Sequence, residues 1–382
     1  MSGADRAILR ARAYLLRVAE PPAKETGLLV EQMGPVAAAD AIRRGDVPGP
    51  VAAETRARRS TDLAENDLAA AAAAGVRLVV PESPEWPHWP FSAFAVAGTK
   101  ELAPPLALWV RGNEDLAELC DRAVAIVGAR AATGYGTHVA SDLGAALADG
   151  GQTVVSGAAI GIDGAAHRGA LSVGGPTVAV LACGPDRAYP ASHAALIERV
   201  ARSGLVVSEY PPGAVPARHR FLVRNRLIAG LTAGTVVVEA ARRSGAQRTA
   251  FAARALGRLV MAVPGPVTSA GSVGCHELIR DGALLVTRPE EVREATGRLG
   301  IDLTAEPERP RRPTDGLDPV QVLVHDALPP RAARDTGWLA VEAGVTVGAV
   351  RSALVELEGR GLVEHREGRW QRPAPKRDEQ PA

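Results

Sequence analysis

The chain has 382 residues, 46% of them hydrophobic and 3% aromatic, with a formal net charge of +1. That length exceeds one small domain, and the apolar fraction suffices for a real core. Near-neutrality excludes a global polyelectrolyte, so any nucleic-acid site must be a local patch. Almost all of the positive charge is arginine, with Lys24, Lys100 and Lys376 the only lysines; a planar guanidinium fork suits phosphate. Cys120, Cys183 and Cys275 lie far apart with no C-x-x-C. That spacing excludes a disulfide scaffold or zinc framework and fits a reduced, cytoplasmic protein. The first residues lack the apolar core of a signal peptide, and no apolar run reaches the roughly 18 residues of a membrane span, so no membrane insertion is expected.

Residues 1–65 read as a small Ala/Arg-rich helical module, in which "LLVEQMGPVAAADAIRRGD" forms two short helices broken at Gly34-Pro35. "LAAAAAAGVRLVV" is a helix running into a strand. Over 76–112, "VRLVVP", "FAVAG" and "LALWVRG" are short β-rich runs around a proline-rich loop, expected to extend the following sheet. From 123 onward "AVAIVGAR", "TVVSGAAIG", "TVAVLACG", "GLVVSEY", "GTVVVEA" and "RLVMAVPG" alternate with helical segments. Continuous apolar, β-branched runs of this kind mean a parallel sheet covered on both faces. The expectation is an α/β, doubly wound, mainly parallel domain over 75–300, with its core at 123–287. Residues 301–317 are proline- and charge-rich and read as a linker. Residues 318–373 read helix, helix, helix, β-wing, the order of a winged helix-turn-helix, and 374–382 as a disordered tail.

In an open parallel sheet, ligands bind at the carboxyl ends of the strands. Gly128 and Arg130 follow the first of these strands, and Ser156, Gly157, Gly161 and Asp163 end or follow the second. "GPDRAYP" follows the third, and the fourth leads into "RHRFLVRNR", residues 218–226. Glu239 and "RRSGAQRT", with Arg243, Ser244, Gly245 and Arg248, follow the fifth. Glycine permits close backbone approach, and helix starts attract anions. An edge bearing Arg130, Arg224, Arg226, Arg243 and Arg248 is therefore a phosphate-binding rim. No lysine follows any glycine loop in the pattern of a P-loop, and no G-x-G-x-x-G follows the first strand, which argues against a Walker ATPase and a dinucleotide. No cofactor and no metal are expected.

Asp163 and His167 are four apart and share a helix face. An acid–base pair is one reading; an Asp capping the helix with a His held nearby is the preferred one, because polar helix starts are common. Glu239 is either catalytic or an organiser of neighbouring arginines. Cys183 sits on an apolar strand and belongs to the core; Cys275-His276 is a sequential pair with no metal assigned. In "RHRFLVRNR", Arg218 and Arg220 are placed in a loop, and a helix or its approach begins at Phe221. Phe221, Leu227 and Ile228 are then available for the core, with Arg224, Asn225 and Arg226 near the helix start. So many arginines exceed the need of one mononucleotide and suit several consecutive phosphates.

These residues resemble the DprA (Smf) family of DNA-processing proteins of bacterial competence, natural transformation and recombination. The likeness runs through "VAIVGAR", "VVSGAAIGIDGAAHRGAL", "VAVLACGPDRAYPASH", "VVSEYPPG", "RNRLIAGL", "VVVEAARRSGAQRTAFAA" and "AVPGPVTSAGSVGCHELIRDGA". It implies an extended Rossmann-like domain between a helical, SAM-like N-terminal domain and a winged helix. It implies single-stranded DNA binding, self-association as a homodimer, and loading of the RecA recombinase with single-strand-binding protein displaced or bypassed, without enzymatic activity. By motif, the DNA pocket would hold Gly128, Arg130, Ser156, Gly157, Arg224, Asn225, Arg226, Arg243, Ser244 and Gly245. Lysine is usual in the family where Arg243 stands, and asparagine where His193 and His276 stand; "GAQRT" replaces a more apolar loop and adds Arg248.

Two other function classes compete. A Rossmann-like nucleoside-monophosphate phosphoribohydrolase shares glycine loops and a post-strand carboxylate, but its P-G-G-x-G-T motif is absent. A sequence-specific transcription regulator would use Arg351 and Arg360 of the C-terminal module, where Glu356 and Glu358 repel phosphate. With so few aromatics a broad stacking platform is not expected, and Tyr135 is the one stacking candidate.

Overall fold

The computed structural model describes residues 3–297, 314–330 and 332–373. These fall into two units, Met1–Thr304 and Ala305–Ala382. The first begins with α1 (Gly3–Val18), α2 (Lys24–Met33), α3 (Pro35–Arg44), α4 (Gly49–Thr55) and α5 (Ala64–Ala73). Gly34, at φ +82°, ends α2, and Pro35 opens α3, so the break falls where a positive φ and a missing N–H put it. The core of these helices does not close on itself. Leu15, Val30 and Ile42 pack with Val76, Val80 and Trp109, which belong to β1 (Val76–Val79), its end, and β2 (Leu108–Arg111).

Between β1 and β2 lie α6 (His88–Phe91) and α7 (Ala93–Ala97). The "FAVAG" run, expected as a β segment, is therefore helical. A five-residue apolar run carries no period that separates helix from strand. Here tertiary contact decides: the Phe94 ring lies against Gly230, far along the chain, and shares a core with Leu227 and Ile228.

The chain continues through α8 (Leu116–Asp121), β3 (Ala123–Val127), α9 (Gly134–Asp149), β4 (Thr153–Ser156), α10 (Ile162–Ser172), β5 (Thr177–Val180) and α11 (Ala194–Ser203). Then come β6 (Leu205–Ser208), α12 (Arg218–Gly230), β7 (Gly234–Val237), α13 (Gly245–Ala255), β8 (Leu259–Ala262), α14 (Val273–Arg280), β9 (Leu284–Leu285) and α15 (Pro289–Thr296). The nine-stranded sheet has the order β1-β2-β6-β5-β4-β3-β7-β8-β9. Strands β3 to β9 are parallel, and β1 and β2 extend the sheet antiparallel beside β6. The α/β, mostly parallel architecture expected from the alternating runs is the one observed.

Strand periodicity shows why. Ala123, Ala125 and Val127 of β3 pack with Leu227 and Ile228 of α12 and Ala250 and Ala253 of α13. Val124 and Ile126 turn the other way, onto Leu143 and Leu147 of α9 and Ala166 of α10. Every residue of β3 is buried, which is what a strand between two helical layers requires. The chain leaves β3 toward β4 and returns at β7 on its other side. The carboxyl ends of β3 and β7 therefore flank the topological switch point, where a crevice opens.

Helix α12 begins at Arg218, so Arg218 and Arg220 occupy its first turn rather than the preceding loop. Ala217 at the N-cap supplies no side-chain hydrogen bond, so nothing in the sequence marks this start.

The second unit contains α16 (Pro319–Ala327), α17 (Thr336–Ala343), α18 (Val347–Gly359), β10 (Glu364–Arg366) and β11 (Arg369–Gln371). Asp318, Asp335 and Thr346 cap the three helices, and Leu339, Val350, Leu354 and Leu357 form their core. Glu367 and Gly368, at φ 49° and 77°, turn β10 into β11 as a two-residue hairpin loop demands. Most of the expected linker, 301–313, and the expected tail, 374–382, lie outside the described residues. Among the described residues no single helix is long and apolar enough to cross a membrane.

Two buried polar contacts hold the sheet unit and can be tested. Arg226 of α12 donates two 2.7 Å hydrogen bonds to the carboxylate of Glu209, just past β6, and both side chains are 2% exposed. Removing one partner strands a buried charge, so Glu209→Gln should lower the unfolding free energy by about 3–5 kcal/mol. Combining it with Arg226→Met should recover part of that, read by urea denaturation. His167 of α10 is wholly buried. The Thr177 hydroxyl donates to the Val154 carbonyl, so it accepts at 2.7 Å from Nδ1 of His167, leaving a neutral ring. Burial, with His193 and Arg224 nearby, pushes the His167 pKa down to about 3. The unfolded histidine takes a proton below about 6.5 and the folded one does not. The neutral ring's contribution is thus complete above pH 6.5 and is lost as pH falls toward 3. A His167→Gln variant should show a flatter decline of stability across that window than the wild type.

Candidate nucleic-acid interface

The crevice at the switch point is a cleft of about 650 Å³. Gly128 and Arg130 reach it from β3, and Asp163 from α10. Arg218, Phe221, Arg224 and Asn225 reach it from α12, and Ser244 and Gly245 from the turn into α13. Tyr189 also lines it, and an adjoining hollow of about 280 Å³ shares Arg130, Tyr189 and Phe221 and adds Gly157 and Ile160. Elements distant in sequence meet here because their strands end at the same edge.

The floor is built from a buried charge couple. The Arg224 guanidinium lies against Gly157, where any Cβ would overlap it, and donates to the Val180 carbonyl. Asp163 accepts from the Gly157 N–H at 3.1 Å. Burial raises the Asp163 pKa, while Arg224 and the N–H groups of Ala159, Gly157 and Gly128 pull it back. Burial likewise lowers the Arg224 pKa, and Asp163 opposes that. Asp163 is the second residue of α10, whose N-cap is Gly161, so it ties down the glycine loop rather than capping the helix.

The four arginines of "RHRFLVRNR" divide. Arg218 is exposed at the cleft. Arg220 turns to the N-terminal helices, donating to Glu20 at 2.9 Å while Arg58 binds the same carboxylate at 2.7 Å. Arg224 forms the floor. Arg226 is consumed by Glu209 and is not among the residues lining the cleft. Asn225 bridges α12 to the start of α13 through a 3.2 Å hydrogen bond to the Gly245 carbonyl.

Other expected positions stand apart. Ser156 is buried and donates to the Ile126 carbonyl at 2.6 Å, joining β4 to β3. Among the described residues Glu239 pairs with no arginine. Its two oxygens accept from the Thr133 hydroxyl at 2.6 Å and the Thr133 N–H at 2.9 Å. Thr133 in turn caps α9 by accepting from Gly136. Arg243 and Arg248 line a second groove on the outer side of α13. Ser244 caps α13. His167 is sealed inside. Tyr135 is outside the cleft lining, with its hydroxyl donating to the Pro264 carbonyl at 2.7 Å.

The structure adds an aromatic wall that the sequence reading missed. Tyr189 and Phe221 have ring centroids 5.3 Å apart, tilted by 45°, and the Arg130 guanidinium lies 5.2 Å from the centre of the Phe221 ring. The available signal is position: Tyr189 lies in the loop after β5 and Phe221 in the first turn of α12, each following a strand's carboxyl end. From sequence alone Phe221 is expected in the core, and the structure instead leaves it half-buried at the cleft. Among the described residues no carboxylate forms a salt bridge with Arg130 or Arg218. The arrangement offers unneutralised cations that could take phosphates beside aromatic faces that could take a base.

A family model described as DNA recombination-mediator protein A matches residues 77–297. A DprA-type DNA processing protein of Mycobacterium tuberculosis is 51% identical over 364 residues, covering 94% of this chain and 93% of the relative. Protein Smf of Escherichia coli is 40% identical over 268 residues, covering 68% of this chain and 69% of the relative. The X-ray structure of DNA processing protein A from Streptococcus pneumoniae superposes with a TM-score of 0.61 at 30% identity, covering 75% of this chain and 97% of that one. The family model spans more than half of the chain, and a relative matches it almost end to end: the chain belongs to the DNA recombination-mediator protein A family, the DprA or Smf proteins of DNA processing.

Proposed function

We propose that the cleft between β3 and β7 grips single-stranded DNA, and that the protein, as a homodimer, passes the strand to RecA past single-strand-binding protein. The observation that carries the reading is the pairing of free Arg130 and Arg218 with the Tyr189–Phe221 wall in one cleft. Phosphates take the guanidiniums, and a splayed base takes the aromatic face. A duplex hides its base faces in the stack, so this wall favours an unpaired strand. Contacts of this kind do not read base identity.

The carboxylates speak against a nucleotide hydrolase at this cleft. Asp163 is held by backbone amides and Glu239 by Thr133, which leaves neither free to activate a water. Membership in a family of DNA-binding mediators supports the same choice.

Binding of labelled oligonucleotides, measured against salt, tests the site. Arg130→Ala and Arg218→Ala should each weaken single-strand binding and lower the salt slope by about 0.7. Unchanged affinity in these folded variants refutes the site. Tyr189→Ala combined with Phe221→Ala should cost single-strand binding about 1–3 kcal/mol per base unstacked and leave duplex binding unchanged. With strand coated by single-strand-binding protein, the wild type should speed RecA filament growth and the arginine variants should not. Release of free base from a nucleoside monophosphate would restore the hydrolase reading.

A further inference from the structure

Beside the cleft, on the outer side of α13, lies a larger groove of about 1170 Å³. Its α13 wall is a helical stripe: Ser244, Arg248, Phe251 and Ala255 all line it, at the spacing that places residues on one face. Phe251 is 72% exposed, the most exposed aromatic ring among the described residues after Trp89. Arg243 and Arg248 flank it, and among the described residues neither has a carboxylate partner. The other cations are neutralised: Arg242 pairs with Glu277 at 2.7 Å and Arg226 with Glu209. The opposite wall carries Glu101, so an anion is directed to the α13 side.

The two depressions are continuous. Leu222, Ser244 and Gly245 line both, and a Cβ placed on Gly245 would meet nothing within 4 Å, so the saddle between them is open. We propose that this groove is a second subsite for the same polynucleotide. The strand leaves the Tyr189–Phe221 wall, crosses Ser244-Gly245, and lays a further base on Phe251 with its phosphates on Arg243 and Arg248. The occupant is a nucleic-acid strand because the groove supplies unpaired guanidiniums around a single aromatic face and continues a cleft with the same pairing. The inference rests on the single-strand reading above.

The test uses the full chain and oligothymidylates of about 4 to 16 nucleotides, the span of known single-strand site sizes. Wild-type affinity should climb with length as the second groove fills. Phe251→Ala should leave the shortest oligonucleotide unaffected and weaken the longest by about 5- to 150-fold, the range for loss of one stacked base. Arg248→Gln should lower the salt slope for the longest by about 0.7, and Phe251→Tyr should retain wild-type binding. Both Phe251→Ala and Arg248→Gln, at exposed positions, should melt with the wild type. If both bind every length as the wild type does, the subsite is wrong while the cleft stands. If Phe251→Ala instead changes the light-scattering mass with DNA affinity intact, the groove is a contact between copies of the chain and the inference falls. If the wild type binds no oligothymidylate of any length, the single-strand reading fails first, and this one with it.

Discussion

A guanidinium and a carboxylate buried beneath two glycine loops hold the centre of this protein. Arg224 reaches from α12 under Gly157, and Asp163 reaches from α10 to the amides of the same loop. Each charge would be costly alone in that interior, and each relieves the other. The consequence is geometric. The loops after β3 and β4 are pinned to α12, so the cleft has a floor of fixed shape before any ligand arrives. Glycine at 157 is a requirement of this couple, since a side chain would occupy the space of the guanidinium.

The same helix explains how a chain of net charge +1 crowds arginines together. Successive turns of α12 face different neighbours. Arg220 meets Glu20 of the helical module, Arg226 meets Glu209 behind β6, and Arg224 meets the glycine loops. Most of the cluster's charge is thus spent on packing the domain. What remains for a ligand is Arg218, joined across the cleft by Arg130 from another strand. A local rim with unbalanced charge can coexist with global neutrality because the counter-charges lie on the buried side of the helix.

Charge alone does not separate a single strand from a duplex. In the reading proposed above, the discriminating feature is the aromatic pair lining the cleft, with an arginine over one ring. The chain holds 4 tyrosines and 4 phenylalanines, so two of them meeting beside free cations is a concentrated use of a scarce resource. Phe221 stands on α12, which packs against α13 and the sheet, so the proposed site needs less ordering to take a strand.

The alternation of apolar strands and helices determined the parallel sheet, because strands buried on both faces need an unbroken apolar run whatever their neighbours. The carboxyl-edge loops were legible for the same reason, since strand direction assigns them all to one side. The family likeness followed from motifs in those loops. Local sequence did not determine the helical "FAVAG" segment, whose Phe94 packs against Gly230 and Leu227 of α12, or the start of α12, which lacks a cap. Nor could it divide the arginines or place Phe221 against Tyr189. Those outcomes turn on which carboxylate or ring lies across a gap tens to hundreds of residues away along the chain, and only the packed structure brings the two sides together.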